Sequence, residues 1–238
     1  MTREISIYKS IGSQPGEYGP EMLRQDLARA AGQPVTIRLN SEGGNVIDGV
    51  ACFNLLRQYP GKVTCHVDGM ALSIASVIAM AADELVVPAN AWMMIHNPAN
   101  EAAGDGDDLR EMASLLDGMR DQLAAIYSAR SRKPVSEVCR MMAAETWMTG
   151  KQAVEAGFAD RTSAPLAVAA TFDARQFRNA PRQSQTPATF QAHVELAMAR
   201  GLTRAKAVRA AIIERPDLHR AFVQAANADR PRAGCHRR

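Results

Sequence analysis

Ser73, His96 and the pair Gly43-Gly44 are the residues of this chain whose types and surroundings could do chemistry together. A serine hydroxyl becomes a nucleophile when a neighbouring base takes its proton, and an imidazole suits that task near neutral pH. Ser73 stands at an expected strand–turn–helix junction. Lys62 to Val67 reads as a strand, Asp68-Gly69 as a turn, and Met70 to Ala82, small and apolar on all sides, as a buried helical segment whose helix begins near Ser73 or Ile74. A serine at a helix N-terminus has free backbone N–H groups close by, which could stabilise the oxyanion formed when a hydroxyl attacks a carbonyl. The same place also suits a plain N-cap serine. His96 ends the apolar strand Trp92–Ile95, at a sheet rim where the active sites of α/β folds collect, although a histidine there can equally be structural. Gly43-Gly44 lies between a strand and a helix, where glycines let a backbone N–H approach a reacting group. Alone, such a pair is only a turn. Asn40-Ser41-Glu42-Gly43-Gly44 is not a phosphate loop, because no Gly-Lys-Ser/Thr follows, and not a dinucleotide fingerprint, because the third glycine is missing.

The elements that must hold these residues alternate between strand and helix. Residues 4–8 and 34–39 read as strands; residues 21–31, with Met22, Leu23, Leu27 and Ala30 on one face, and a segment from Val46 to before Pro60 read as helices. Leu85-Val86-Val87 and Trp92–Ile95 read as short strands, and Asn97 to Asp108 as a polar loop. A long amphipathic helix over 107–131 carries Leu109, Met112, Leu116, Met119, Leu123 and Ile126 at spacings of three and four. Another helix spans 134–144 with Pro134 in its first turn. This alternation predicts an α/β fold with a largely parallel sheet.

Composition narrows the class. The 238 residues are 47% hydrophobic and 22% charged, which excludes disorder throughout. No run of about 18 uncharged apolar residues is present to cross a membrane. The N-terminus, Met1 to Tyr8, alternates instead of forming a signal-peptide block. Cys52, Cys65, Cys139 and Cys235 are scattered without metal-ligand spacing, so they read as reduced thiols of a cytoplasmic protein. No metal or cofactor is expected. Residues 1–160 carry 14 Lys and Arg against 20 Asp and Glu, whereas residues 161–238 carry 14 against 5. The expected organisation is a domain over 1–162, a Pro-, Gln-, Ala- and Arg-rich linker over 163–190, and a basic, mostly helical appendage over 191–238, with Thr203 capping a helix through Ile213. That charge could meet an acidic partner protein, the acidic body itself or, least expected, nucleic acid, and a plain solvated helical appendage is the alternative.

Four segments then form a pattern: Asn40-Ser41-Glu42-Gly43-Gly44; Asp68 to Ser76; Met94-Ile95-His96-Asn97-Pro98; and Glu145 to Asp160. In this order and spacing the chain resembles the Clp protease proteolytic-subunit family of serine peptidases, ClpP-like family S14. Within it, the chain looks most like the phage-encoded head maturation (prohead) proteases. The resemblance covers about residues 1–162. It implies an α/β β-superhelix of ββα units shared with the crotonases, with helix 107–131 as a handle through which rings stack. It implies Ser73 as nucleophile, His96 as general base, and the N–H groups of Gly44 and Ile74 as oxyanion hole, with Gly43 and Leu72 beside the substrate. Glu145 takes the place of the usual third-member aspartate. Glu42 replaces a frequent proline and Leu72 a small residue. The implied partners are other copies of the chain, in a heptameric ring or stacked rings, with phage capsid or scaffold proteins as substrates. The chain begins directly at the first strand, so dependence on an ATPase is not expected. Two alternatives stay open: a proteolytic subunit working with a host Clp ATPase, and an inactive ring or capsid-assembly component. A crotonase acting on acyl-CoA would share the fold, but the Ser73/His96 pairing favours peptide hydrolysis.

Overall fold

The computed structural model describes residues 2–165, 177–180, 194, 198, 202–214, 218–220 and 222. Its chain forms two compact units, divided between Asn179 and Ala180.

The first unit runs β1 (Arg3–Ile7), α1 (Pro20–Ala30), β2 (Val35–Ser41), α2 (Val46–Gln58), β3 (Val63–Leu72), α3 (Ile74–Ala79), β4 (Glu84–Val86), β5 (Trp92–Ile95), α4 (Gly106–Ser131), α5 (Val135–Ala143), β6 (Thr146–Thr149) and α6 (Gly150–Glu155). The strands make one sheet in the order β1-β2-β3-β5-β6, with β4 also paired to β3. All pairings are parallel except β5 with β6. Right-handed crossovers through helices are the usual way to build such a sheet, and the alternation of elements in the sequence requires them. Strand β3 serves two neighbours in turn. Its first half pairs Thr64–His66 with Glu84–Val86, and its second half pairs Met70–Leu72 with Trp92–Met94. Apolar side chains of β1, β2, β3 and β5 pack with α1, α2 and α3 in a continuous core.

Asp68-Gly69, expected to turn, lies inside β3, and Met70-Ala71-Leu72, expected to lead from the turn into the helix, is strand. The cause is electrostatic and local. Asp68 is buried and accepts from the Tyr8 hydroxyl and from both Nε and a terminal nitrogen of Arg38. A carboxylate held this way keeps the backbone extended where a solvated Asp-Gly pair would fold back. The three residues that follow find ladder partners on β5 and cannot be helical. The buried helix α3 therefore starts only after Ser73. Met22 faces solvent, while Leu23, Leu27 and Ala30 hold α1 to the core. Pro134 is the N-cap of α5, one residue before the first turn expected for it.

Helix α4 opens with a capping box in which Asp105 and Asp108 exchange bonds with each other's backbone N–H groups. Only Leu123, Ala124 and Tyr127 near its C-terminal end are buried, whereas Leu109 and Leu115 are exposed. Beyond α6, the chain runs beside the end of β4, where Arg161 O and Ser163 O accept from Val87 and Ala89 N–H. In the second unit, helix α7 (Arg204–Glu214) follows Thr203, whose carbonyl accepts from Ala207. Ala207 and Ala211 are buried with Val194, beside Val208 and Leu218. The rest of the appendage and Cys235 lie outside the described residues. Among the described residues no helix is long and apolar enough to cross a membrane.

Candidate active site

The register of the sheet brings the chemistry together. Parallel pairing sets Leu72 beside Met94 and, through an irregularity in β2, Ser41 beside Ala71. One residue past Leu72 is Ser73; two past Met94 is His96; two and three past Ser41 are Gly43 and Gly44. Three strand ends at one rim thus deliver all four residues to one place. Ser73 Oγ lies 2.7 Å from His96 Nε2, a hydrogen bond with the geometry of a nucleophile and its base.

Ser73 sits on a strained strand-to-helix turn, with φ 54° and ψ −129°. Positive φ is unusual for a residue with a Cβ and costs roughly 1–3 kcal/mol, sustained only where the surroundings over-determine it. Here they do. The Ser73 N–H donates to Met94 O at 2.9 Å. Ser76 Oγ lies 2.6 Å from Ser73 O and 3.1 Å from Met94 O, and 2.7 Å from the Tyr127 hydroxyl. Both side chains are fully buried, and burial pushes the Tyr127 phenol pKa up, keeping its proton in place. The natural chain of donation runs from Tyr127 to Ser76 to Ser73 O, so α4 fixes the carbonyl of the serine turn. Neither Ser76 nor Tyr127 stands out in the sequence as part of a site. The available signal is a hydroxyl one helical turn past Ser73, plus a tyrosine four residues after Leu123 on the buried face of α4.

The glycine pair fits its place for steric reasons. A Cβ on Gly43, whose φ is +105°, would come within 2.8 Å of Ser73 Cβ and 2.9 Å of Leu72 O. Gly44, at φ +143°, is bracketed by Ile11: the Ile11 N–H donates to Gly43 O at 2.7 Å, and Asn45 N–H donates to Ile11 O at 2.8 Å. The Gly43 N–H is occupied by Ser41 Oγ at 3.2 Å. Among the described residues, the N–H groups of Gly44 and Ile74 donate no backbone hydrogen bond, which leaves both available to an oxyanion.

His96 is largely buried, and that burial lowers its pKa below the ordinary imidazole value; the Arg178 charge adds to the effect and Glu145 opposes it. The imidazole is therefore neutral, and able to accept a proton, at neutral pH. Glu145 is buried with φ 51°. Burial alone would raise its pKa, but the Asn179 N–H, the Trp147 indole, the Arg178 N–H and nearby His96 together hold it low. No hydrogen bond joins Glu145 to His96 among the described residues. The Glu145 charge opposes the lowering of the His96 pKa without a direct hydrogen bond. Leu72, expected beside the substrate, is fully buried with Met70 and Met94 against Trp92, Trp147 and Phe177. Because β3 continues to Leu72, that side chain packs within the sheet's apolar cluster.

The family model described as Clp protease matches residues 2–164. The chain is 29% identical over 158 residues to the ATP-dependent Clp protease proteolytic subunit of Porphyromonas gingivalis, covering 63% of this chain and 71% of that one. It is 30% identical over 132 residues to the subunit of the same name from Deinococcus radiodurans, covering 54% and 64%. The chain thus spans about two thirds of the length of these curated relatives. A solved ClpP1 mutant from Listeria monocytogenes shares the fold, with a TM-score of 0.59 at 20% identity, over 68% of this chain and 91% of that one. Since the matched residues include every strand and helix that delivers Ser73 and His96 to the rim, the chain belongs to the Clp protease family of serine endopeptidases.

Proposed function

We propose that this chain is a serine endopeptidase that trims phage capsid or scaffold proteins during head maturation. The observation that carries the peptidase reading is the 2.7 Å contact between Ser73 Oγ and His96 Nε2 beside two N–H groups that donate no backbone hydrogen bond among the described residues. In this reading His96 removes the Ser73 proton as the oxygen attacks the substrate carbonyl. The N–H groups of Gly44 and Ile74 hold the oxyanion, and His96 then gives its proton to the leaving amine. A water, deprotonated by the same imidazole, releases the acyl group from Ser73. Glu145 stabilises the transient imidazolium by its charge.

The head-maturation reading is supported by the sequence resemblance and by the basic appendage that follows an acidic body. The proposed organisation is the domain over 1–162, a connection over 163–190 and the appendage over 191–238. The appendage would dock on the substrate assembly. Exposed Leu109 and Leu115 on α4 suit packing against another copy, in a heptameric ring or stacked rings. A cytoplasmic setting fits the free thiols of Cys52, Cys65 and Cys139.

A second reading, favoured by the relatives' description as ATP-dependent, is a proteolytic subunit fed by a Clp ATPase. Co-expression with capsid and scaffold proteins, with and without Ser73→Ala, separates the readings. Head maturation predicts shortened capsid or scaffold chains that disappear in the variant. Trimming that needs an added ATPase supports the second reading, and trimming unchanged by Ser73→Ala removes both.

A further inference from the structure

Glu145 is unusually well supplied with donors. A carboxylate has room for about four hydrogen bonds. The Asn179 N–H and the Trp147 indole reach Oε1 at 2.6 and 3.2 Å, and the Arg178 N–H reaches Oε2 at 3.0 Å. Asn179 Nδ2 also donates to Ala144 O at 3.0 Å, so the segment grips both the side chain of Glu145 and the backbone just before it. One residue earlier, the Phe177 ring stands edge-on to two others. Its centroid is 6.0 Å from that of His96, at 67°, and 5.4 Å from that of Trp147, at 84°. Residues 177–179 fall in the stretch expected as linker and lie beyond the family match, which ends at residue 164. Composition misleads here because one phenylalanine and two backbone amides make the contacts, while the surrounding Arg, Gln and Pro dominate the count.

We propose that residues 177–179 are a positioning segment for the peptidase site: Phe177 holds the His96 imidazole against the Ser73 hydroxyl, and the N–H groups of Arg178 and Asn179 hold Glu145 as a nearby anion instead of a direct hydrogen-bond partner. This rests on the reading of His96 as general base. The two tasks that one carboxylate performs in a hydrogen-bonded triad are divided. Orientation comes from an aromatic edge, and charge comes from a carboxylate with three of its roughly four acceptor sites taken by other donors. The segment also covers the ring. The charged groups facing His96 are Glu145, which favours the imidazolium, and Arg178, which opposes it.

The test uses the full chain carrying Phe177→Ala or Phe177→Leu, with two readouts. The first is the His96 side-chain titration followed by NMR. Removing the ring exposes the imidazole to water, and the midpoint should rise by about half a pH unit or more. The second is the rate of fluorophosphonate labelling, which should fall about tenfold in Phe177→Ala as the imidazole loses its rotamer. Phe177→Leu should recover most of the titration midpoint, which needs only cover, but little of the labelling rate, which needs the ring edge. Phe177 is only partly buried, and a melting curve checks that each variant is folded. A titration midpoint unchanged in folded Phe177→Ala overturns the proposal, whatever the labelling does. Labelling that becomes faster also overturns it, because the segment would then be blocking the site. Absence of labelling in the wild type counts against the peptidase reading, while the titration still decides the role of Phe177.

Discussion

Replacing Ser73 with alanine is expected to lower peptide hydrolysis by about 10⁴-fold or more while leaving the fold intact. The size follows from the site. In the proposed mechanism Ser73, in contact with His96, is the nucleophile, and the remaining N–H groups can stabilise an oxyanion but cannot form an acyl-enzyme. The small stability change follows from the turn. The strain at φ 54° is held by Ser76, Tyr127 and Met94, all through the Ser73 backbone, so losing the hydroxyl leaves the turn's support untouched. Hydrolysis of an unstructured peptide, compared between folded wild type and Ser73→Ala, measures the first effect, and a urea melt measures the second.

Gly44→Ala should damage both fold and activity. A Cβ built there lies 2.2 Å from Ile11 O and 2.9 Å from Ile11 N, and both are backbone atoms that cannot move aside like a side chain. The φ of +143° adds strain for any L side chain. Together these should cost about 3 kcal/mol or more. Relief requires moving either the Ile11 segment or the glycine loop, and the second turns the Gly44 N–H away from Ser73. Losing one oxyanion donor lowers the rate by about 10²–10³-fold. Denaturant melting and the labelling rate of the folded fraction separate the two losses. A variant of wild-type stability that labels normally would show that the Ile11 contact is dispensable and that the Gly44 N–H takes no part.

Much of this site is legible in the sequence because its members stand at strand ends. His96 follows four residues of uninterrupted strand, and Gly43-Gly44 follows β2. Ser73 reads as a junction residue, and the helix does begin at Ile74, but the residues leading to it are strand and not turn. The pattern of small apolar residues from Met70 to Ala82 cannot reveal that Asp68 is pinned by Tyr8 and Arg38 and that β3 continues past it. Strand β6 also escapes notice. Its four residues Thr-Trp-Met-Thr show too little alternation, and its strand character comes from antiparallel pairing with β5. The supports of the site are the least legible. Ser76 and Tyr127 come from different helices, and the donors to Glu145 come from backbone amides, which carry no side-chain signature. Such partners are set by tertiary folding alone.

The central claim is that a neutral, buried His96 activates Ser73. The most direct measurement is the pH dependence of fluorophosphonate labelling of the wild-type chain, with the modified residue mapped by mass spectrometry. The expected result is a single adduct on Ser73, formed at full rate near neutral pH. The rate should decline only as pH falls through a midpoint below the ordinary imidazole value of 6.5, because the lowered pKa keeps the base form present to more acid conditions. An adduct on another residue, or a Ser73 adduct whose rate does not change between about pH 4 and 8, would contradict it.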